Sequence, residues 1–173
     1  MTSCKPNSTP FTSTSRLTPT QGQHLFDLTP FRSLVGALQY LTFTRPDLSF
    51  VVNQVCQFMH NPTDVHLTAA KRILRYLRGI LHCGLLFRPN SLQLQAYADT
   101  DWADDPVDCR STSVYLVFLG STPITWVSKK QCTVSRSSTE AEYRSLASAT
   151  AELYWIRMVL RDLGIFLSNT PVL

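Results

Sequence analysis

The sequence predicts an α+β protein, with helices in its first half and a sheet followed by one long helix in its second half. Three observations support this class. Between Thr29 and Leu81 the apolar residues recur at the three- and four-residue spacing of amphipathic helices. From Leu92 to Val127 the apolar residues instead follow the two-residue period of strands. A second helical spacing begins near Ser138 and continues to Leu163.

Residues 1–27 are rich in Ser, Thr and Pro and have no sustained apolar period, which predicts an extended arm or linker. Residues 28–88 are predicted to form three helices. The first begins at Thr29-Pro30, a favourable helix start, and the second follows the break at Arg45-Pro46-Asp47. Gly79 or Gly84 can end the third. The apolar positions of the three helices are, in order, Leu34, Leu38 and Leu41; Leu48, Val52, Val55 and Met59; and Leu67, Ala70, Leu74, Leu77 and Leu81.

A row of basic residues accompanies the third apolar stripe, one position later along the chain. Lys71, Arg75 and Arg78 have helical spacing, so they share one face of the helix, about 100° from the apolar stripe. Two interpretations stay open, a solvated helix face or a surface that contacts phosphates. Three further basic residues in the second half of the chain are also candidate nucleic-acid contacts: Lys129, Lys130 and Arg136.

Residues 91–173 are predicted to form a sheet of three strands and a helix. In the first strand Leu92, Leu94, Ala96 and Ala98 alternate with more polar residues. The second and third strands cover residues 114–119 and 124–127 and form a hairpin around a turn at residues 120–123. The final helix must bury its apolar side against the sheet. The stripe on that side is Leu146, Ala149, Leu153, Ile156, Leu160 and Leu163.

Two acidic residues occupy positions that suit a metal site. Asp99 ends the first strand, and Glu142 lies in the first turn of the final helix. Extending the apolar stripe four residues towards the helix start leads to Glu142, so its carboxylate is expected to face the sheet. A pair of carboxylates can hold a hard divalent cation. A structural alternative is a capping box, formed either by Ser137 with Glu140 or by Thr139 with Glu142.

The composition favours a globular protein with a basic and an acidic part. Residues 1–90 contain nine Lys or Arg and three Asp or Glu, whereas residues 91–173 contain seven and nine. This asymmetry suits a protein that contacts phosphate with one part and metal with another. The five cysteines have neither disulfide nor zinc spacing, and neither a signal peptide nor a membrane span is expected. Asp101, Asp104, Asp105 and Asp108 are expected to lie in a solvated acidic loop.

Several motifs occur in the order found in one protein family. Residues Phe31–Leu41, Thr44–Leu48 and Ala70–Gly79 resemble the end of the reverse transcriptase region in copia-type retrotransposon Pol polyproteins. The ribonuclease H domain that follows in such polyproteins is similar to four later motifs: Asp101-Trp102-Ala103, Arg110–Ser113, Trp126–Gln131 and Ser135–Tyr143. The family usually has Gly at the positions of Asp104 and Val114. The resemblance covers nearly the whole chain.

The resemblance implies a thumb- or connection-like helical module over residues 28–88 and a truncated ribonuclease H-like α/β domain over residues 91–173. The implied activity is hydrolysis of RNA in RNA–DNA hybrids by four carboxylates and two Mg²⁺ ions. Asp99 and Glu142 match two of these ligands, and the final strands with the other two acids are expected beyond Leu173. The polymerase palm is expected to precede this chain.

The implied partners are an RNA–DNA hybrid or another nucleic acid and the remainder of the Pol polyprotein, with no membrane involved. The implied location is intracellular, in a cytoplasmic particle or the nucleus. We expect little or no hydrolysis by this chain, because two carboxylates cannot fix both metal ions. Two alternatives stay open: a non-catalytic nucleic-acid-binding fragment, and a degenerate relic without function.

Overall fold

A computed structural model describes residues 4–12, 16–105 and 107–173 of the chain. The chain divides into two compact units, Met1–Gly84 and Leu85–Leu173. The first contains α1 (Thr29–Leu41), a short 3₁₀ helix (Pro46–Leu48), α2 (Ser49–Cys56) and α3 (Asp64–Gly79). The second contains β1 (Leu94–Asp101), β2 (Thr112–Leu119), β3 (Thr122–Lys130) and α4 (Ser138–Asp162). The predicted α+β class is confirmed.

The helices of the first unit pack around one apolar core. Each helix contributes buried apolar side chains, but in α1 and α3 they differ from the predicted stripe. Phe31, Val35 and Ile73 are buried, whereas the predicted Leu34, Leu41 and Leu74 are partly buried. Partly buried residues such as Leu34, Leu67 and Leu77 pack around this core. Its fully buried members are Phe31, Val35, Leu38, Leu48, Val51, Val52, Val55, Ala70 and Ile73.

Two helix ends differ from the prediction. Met59 lies beyond the end of α2 at Cys56, and the residues between them turn instead of continuing the helix. Gly79 is the last residue of α3, so Leu81 falls outside the helix and is 72% exposed.

The N-terminal segment packs against α3 in the described parts of residues 1–27, which exclude residues 1–3 and 13–15. It runs antiparallel to the helix. The Nε of Arg75 donates to the carbonyl of Lys5 at 2.9 Å, and the amide of Asn7 donates to the carbonyl of Arg75 at 3.2 Å. Further along, the ring of Phe11 meets that of Phe50 edge-on at 6.1 Å between centroids. The segment is extended as predicted, but it packs within the first unit instead of forming a free linker.

The second unit is built on an antiparallel sheet with the strand order β1-β2-β3. Asp99 pairs with Val114, and Val114 pairs with Ser128. The predicted hairpin between β2 and β3 is confirmed, but its turn is tighter, because β3 already begins at Thr122. Gly120 has a φ of +61°, and a Cβ there would lie 2.5 Å from the carbonyl oxygen of Ser91, so glycine suits this turn.

One helix covers one face of this sheet, because α4 packs mainly on β1 and β2. The buried cluster between them contains Leu94, Ala96, Val117, Leu153 and Ile156. By the strand alternation, the side chains that face α4 from β1 are those of residues 94, 96, 98 and 100. The other residues of β1 therefore belong to the opposite face.

A further stretch of chain meets the outer edge of β1 after α4. Val172 forms a parallel bridge with Gln95. The amide of Ala96 donates to the carbonyl of Val172 at 2.8 Å, and the amide of Val172 donates to the carbonyl of Leu94 at 3.2 Å. The segment that follows α4 thus returns to the sheet in the same direction as β1. Within the described ranges, no helix has the length and apolar character needed to cross a membrane.

Candidate functional site: two carboxylates beside the start of α4

A hydrogen-bonded cap fixes the start of α4. The hydroxyl of Ser137 accepts from the amide of Glu140 at 3.1 Å, which confirms one of the two predicted caps. The carboxylate of Glu140 accepts from the amide of Arg136 at 2.8 Å and pairs with Arg144 at 2.6 Å. The hydrogen bond from the Arg136 amide, with the positive charge of Arg144, holds the pKa of Glu140 below its usual value. Glu140 therefore has a structural role.

Ser145 connects α4 to the sheet. Its side chain is fully buried, and its hydroxyl lies 3.0 Å from the carbonyl oxygen of Asp99 and 3.3 Å from that of Val114. Asp99 and Val114 are paired across β1 and β2, so the small serine sits directly over this pair. A second contact lies one turn earlier, where the hydroxyl of Thr100 is 3.4 Å from the carbonyl oxygen of Ala141. The main chain of Asp99 and the first turns of α4 are thus held together.

The prediction that Glu142 faces the sheet is wrong. Glu142 is exposed, and so is Leu146, at 36%. The residues that face the sheet are Ala141, Ser145 and Ala149, which continue the spacing back from Leu153 by four residues at a time. Small side chains let α4 approach the backbone of the sheet, and this favours them over the larger Leu146. Leu163, the last member of the predicted stripe, lies beyond α4 and is 69% exposed.

Asp99 is also exposed. It lies in β1, and its carboxylate accepts a hydrogen bond from the amide of Thr100 at 2.8 Å. The strand alternation places it with Tyr97 and Asp101, on the side of the sheet away from α4. The residues adjacent in sequence to the two acids, Thr100 and Ala141, are in contact. The two carboxylates therefore flank one contact between β1 and α4, both at the solvent surface.

The chemistry of the two acids fits Mg²⁺, because this ion prefers carboxylate oxygens and retains several waters. Among residues 4–12, 16–105 and 107–173, however, no group of three or more His, Cys, Asp or Glu could hold a metal ion. Asp99 and Glu142 are therefore not members of such a group within these residues.

The loop before α4 is anchored by residues that the sequence did not single out as functional. The amide nitrogen of the Gln131 side chain donates to Ser113 at 2.9 Å and to the carbonyl of Ala141 at 3.1 Å. The indole of Trp102 donates to the carbonyl of Ser135 at 3.2 Å. Both contacts tie this loop to the strand ends near Asp99. In the sequence, Trp102 and Gln131 stood out only as members of the motifs that carry the family resemblance.

The basic candidates of the second unit have different surroundings. Lys130 forms ion pairs with Asp105 and with Asp108, the second at 2.8 Å. Burial acts to lower the pKa of Lys130, but its bonds to the two aspartates outweigh this effect and raise it. The acidic loop is therefore partly pinned to β3 instead of being only solvated. Lys129 and Arg136 are exposed.

The basic stripe of α3 mainly contacts the N-terminal segment. Arg75 donates to the main-chain carbonyl of Lys5, and Arg78 donates to that of Cys4. Arg72, which flanks the stripe, donates to the hydroxyl of Thr9 at 2.9 Å. Lys71 is exposed on the same helix. The structure thus assigns a packing role to these arginines, which the helical spacing alone did not reveal.

Comparison with known proteins gives a consistent set of relatives. Across the whole chain, 174 aligned residues are 52% identical to the retrovirus-related Pol polyprotein from transposon RE2 of Arabidopsis thaliana and 51% identical to that from transposon RE1. Over 95% of the chain, 36% of residues are identical to the corresponding polyprotein from transposon TNT 1-94 of Nicotiana tabacum. The chain spans 12% of the length of the first two relatives and 13% of the third. No family model and no solved structure matches it.

Proposed function

Because this chain belongs to the copia-type retrotransposon Pol polyproteins, we propose that residues 91–173 are the leading part of a ribonuclease H-like domain. In this proposal Asp99 and Glu142 are two of the carboxylates that hold Mg²⁺. The substrate is an RNA–DNA hybrid, and the reaction of the complete domain is hydrolysis of the RNA strand.

The observation that carries this proposal is the return of the chain to β1 after α4. Three antiparallel strands followed by a helix are also found in proteins whose sheet is a simple meander, so these elements alone do not distinguish the two folds. Val172 instead pairs in parallel with β1, on the edge opposite β2. A strand, a covering helix and a parallel strand on the first strand's free edge form the crossover of mixed α/β sheets. The family resemblance implies a sheet of five strands with helices, and the crossover supports this expectation.

The contacts around Ser145 support the choice of acids. The hydroxyl of Ser145 holds α4 over the Asp99–Val114 pair, and Glu142 lies one turn earlier on that helix. Both Asp99 and Glu142 are exposed, so each carboxylate is open to solvent.

In this proposal the two acids are binding groups. Each carboxylate would contribute oxygen ligands and negative charge to a site at the solvent surface. A bound Mg²⁺ would supply activation of a water molecule and stabilisation of the developing charge on the phosphate. With only two protein carboxylates, we expect weak metal binding and little hydrolysis by this chain.

The test measures metal binding and cleavage in the same samples. Mn²⁺, a spectroscopic substitute for Mg²⁺, is titrated into the purified chain and followed by electron paramagnetic resonance. We expect weak binding that is lost in the Asp99→Asn and Glu142→Gln variants. Asp162→Asn is the matched control, because Asp162 is an exposed acid at the other end of α4.

Two results would overturn the assignment. One is Mn²⁺ binding that persists unchanged in both Asp99→Asn and Glu142→Gln. The other is Mg²⁺-dependent cleavage of a labelled RNA–DNA hybrid that neither substitution reduces. Hybrid binding without any metal binding would instead favour the alternative, a non-catalytic nucleic-acid-binding module.

A further inference from the structure

A groove opens between α4 and β3 in the second unit. Because α4 packs mainly on β1 and β2, the side of β3 that faces the helix layer stays partly uncovered. The resulting cavity has a volume of about 460 Å³. Its helix wall carries Arg144 and Ser148, and its sheet wall carries Tyr115, Val127 and Lys129.

Cationic groups line both walls of this groove. Lys129 is exposed on the sheet side. On the helix side the guanidinium of Arg144 is oriented by Glu140 at 2.6 Å and by the carbonyl of Thr133 at 3.3 Å. One carboxylate offsets the charge of Arg144, so Lys129 supplies the excess positive charge. An anion between the walls would meet a flexible ammonium group on one side and a fixed guanidinium on the other.

Hydroxyl groups add neutral donors. The hydroxyl oxygen of Thr133 accepts from Arg144, which leaves its hydrogen available to another acceptor. Burial raises the pKa of Tyr115, and the carboxylate of Glu152 acts in the same direction, so this phenol keeps its proton at neutral pH. Phosphate oxygens accept hydrogen bonds from such groups. The apolar side chain of Val127 offers a surface for an uncharged part of the same ligand.

Other basic groups are less suited to this task. The ammonium of Lys130 is engaged by Asp105 and Asp108. In the first unit, Arg75 and Arg78 donate to main-chain carbonyls of the N-terminal segment. Arg144 is likewise bound by Glu140 and Thr133, so Lys129 is the exposed cationic group that the groove presents to a ligand.

We propose that the groove between α4 and β3 binds a phosphodiester group of a nucleic-acid strand, with Lys129, Arg144, Thr133 and Tyr115 as its donors. A volume of about 460 Å³ exceeds that of one phosphate and leaves room for the adjoining sugar. This inference rests on the proposed function, because it supposes that the chain contacts an RNA–DNA hybrid. It adds Arg144, Thr133 and Tyr115 to the candidate nucleic-acid contacts. Of the two adjacent lysines, it keeps Lys129 as a contact and assigns Lys130 to the ion pairs with Asp105 and Asp108.

The first test compares the hybrid affinity of two charge-matched variants by fluorescence anisotropy over a series of salt concentrations. Lys129→Gln should weaken binding about five- to tenfold at low salt and lower the salt slope by about 0.9, the value for one lost phosphate contact. Arg157→Gln removes the same charge from an exposed position of α4, about 20 Å further along the helix axis, and should change both quantities much less. Equal effects of the two substitutions would overturn the proposal.

The second test uses two cysteines of the unmodified chain. Cys132 lines the groove, whereas Cys109 lies in the loop before β2, and both are exposed. Alkylation of each is followed by mass spectrometry, with and without the RNA–DNA hybrid. Bound hybrid should slow the alkylation of Cys132 several-fold and leave that of Cys109 unchanged.

The outcomes separate this inference from the proposed function. Hybrid binding with an unprotected Cys132 and an unaffected Lys129→Gln variant would overturn the groove alone. Loss of Mn²⁺ binding in Asp99→Asn, with Cys132 still protected by the hybrid, would support both. Protection of Cys132 by the hybrid, with metal binding unchanged in Asp99→Asn and Glu142→Gln, would support the groove and contradict the metal site.

Discussion

The two units cover their apolar residues to different extents. The nine core residues of the first unit are at most 3% exposed, and they lie among three helices that enclose them. Among the described residues, the second unit buries seven apolar side chains, five of them in one cluster with exposures up to 7%, and its sheet is covered by α4 on one face. The far side of α4 also carries large exposed side chains, among them Tyr154 at 66% and Trp155 at 58%.

The helical first unit therefore has a larger enclosed apolar core than the second unit, which is built on the sheet. Buried apolar area provides most of the stabilisation of a folded unit. We therefore expect the second unit to unfold at a lower denaturant concentration than the first. Two natural probes separate them. The three tryptophans, Trp102, Trp126 and Trp155, all lie in the second unit, and the four histidines, His24, His60, His66 and His82, all lie in the first.

The largest expected effect comes from the core of the first unit. Replacing the fully buried Phe31 by alanine removes a large ring and should lower the free energy of unfolding of this unit by about 3–5 kcal/mol. Circular dichroism at a helical wavelength reports α1, α2 and α3 together with α4, so the loss should appear in the part of the urea transition that tryptophan fluorescence does not follow. The tryptophan fluorescence transition, which reports the second unit, should keep its midpoint.

The reciprocal control is Ile156→Ala in α4, at a side chain 7% exposed. It should move the tryptophan transition together with the part of the circular dichroism change that is due to α4, and leave the rest of the circular dichroism transition in place. If either substitution shifted both transitions equally, the two units would unfold together and the contrast between them would fail.

A smaller effect is expected from Ser145. The Ser145→Ala substitution keeps the small size that lets α4 lie close to the sheet but removes the hydrogen bonds to the carbonyls of Asp99 and Val114. The free energy of unfolding of the second unit should fall by about 1 kcal/mol, as tryptophan fluorescence in urea would measure. Ser148→Ala is the control, because that hydroxyl bonds only to Arg144 of its own helix, at 2.9 Å. An equal loss in both variants would contradict the bridging role of Ser145.

The smallest effect concerns pH. His66 is fully buried, stacks on Phe58 at 3.9 Å between ring centroids, and accepts at Nδ1 from the amide of Thr63 at 3.0 Å. Burial lowers the pKa of His66 below its usual value of 6.5. Neutral His66 therefore contributes to the free energy of unfolding at pH values above its pKa in the unfolded state. The contribution is lost as the pH falls through that value towards the lower pKa in the folded state, because only the unfolded state then takes up the proton.

The first unit should accordingly lose stability as the pH falls through 6.5, the usual histidine pKa, while the histidine-free second unit should not respond to histidine protonation. Urea unfolding of one sample tests this: tryptophan fluorescence reports the second unit, and the first unit is read from the part of the circular dichroism transition that the fluorescence does not follow. The His66→Gln variant should flatten the pH dependence, and the exposed His60→Gln variant should preserve it. An unchanged dependence in His66→Gln would exclude His66 as its origin.

Most local elements could be predicted from the sequence. Thr29-Pro30 does begin α1, Ser137 does cap α4, and the change of period after residue 90 does separate helices from strands. These features depend on residues close together in the chain, such as a cap hydroxyl and an amide three positions later. The prediction was less accurate at helix ends, where Met59 and Leu81 continue an apolar period without continuing the helix.

The order of helices and strands was therefore determined by the sequence itself, as was the position of two acids near one strand and one helix start. Only the tertiary structure decided which side of α4 faces the sheet. Apolar residues lie on several sides of that helix, and their spacing alone predicted that Leu146 and Glu142 face the sheet. Close packing instead favours the smaller Ala141 and Ser145 at the sheet. It also decided that Arg75 and Arg78 contact the N-terminal segment, because partners about 70 residues apart leave no local pattern in a sequence.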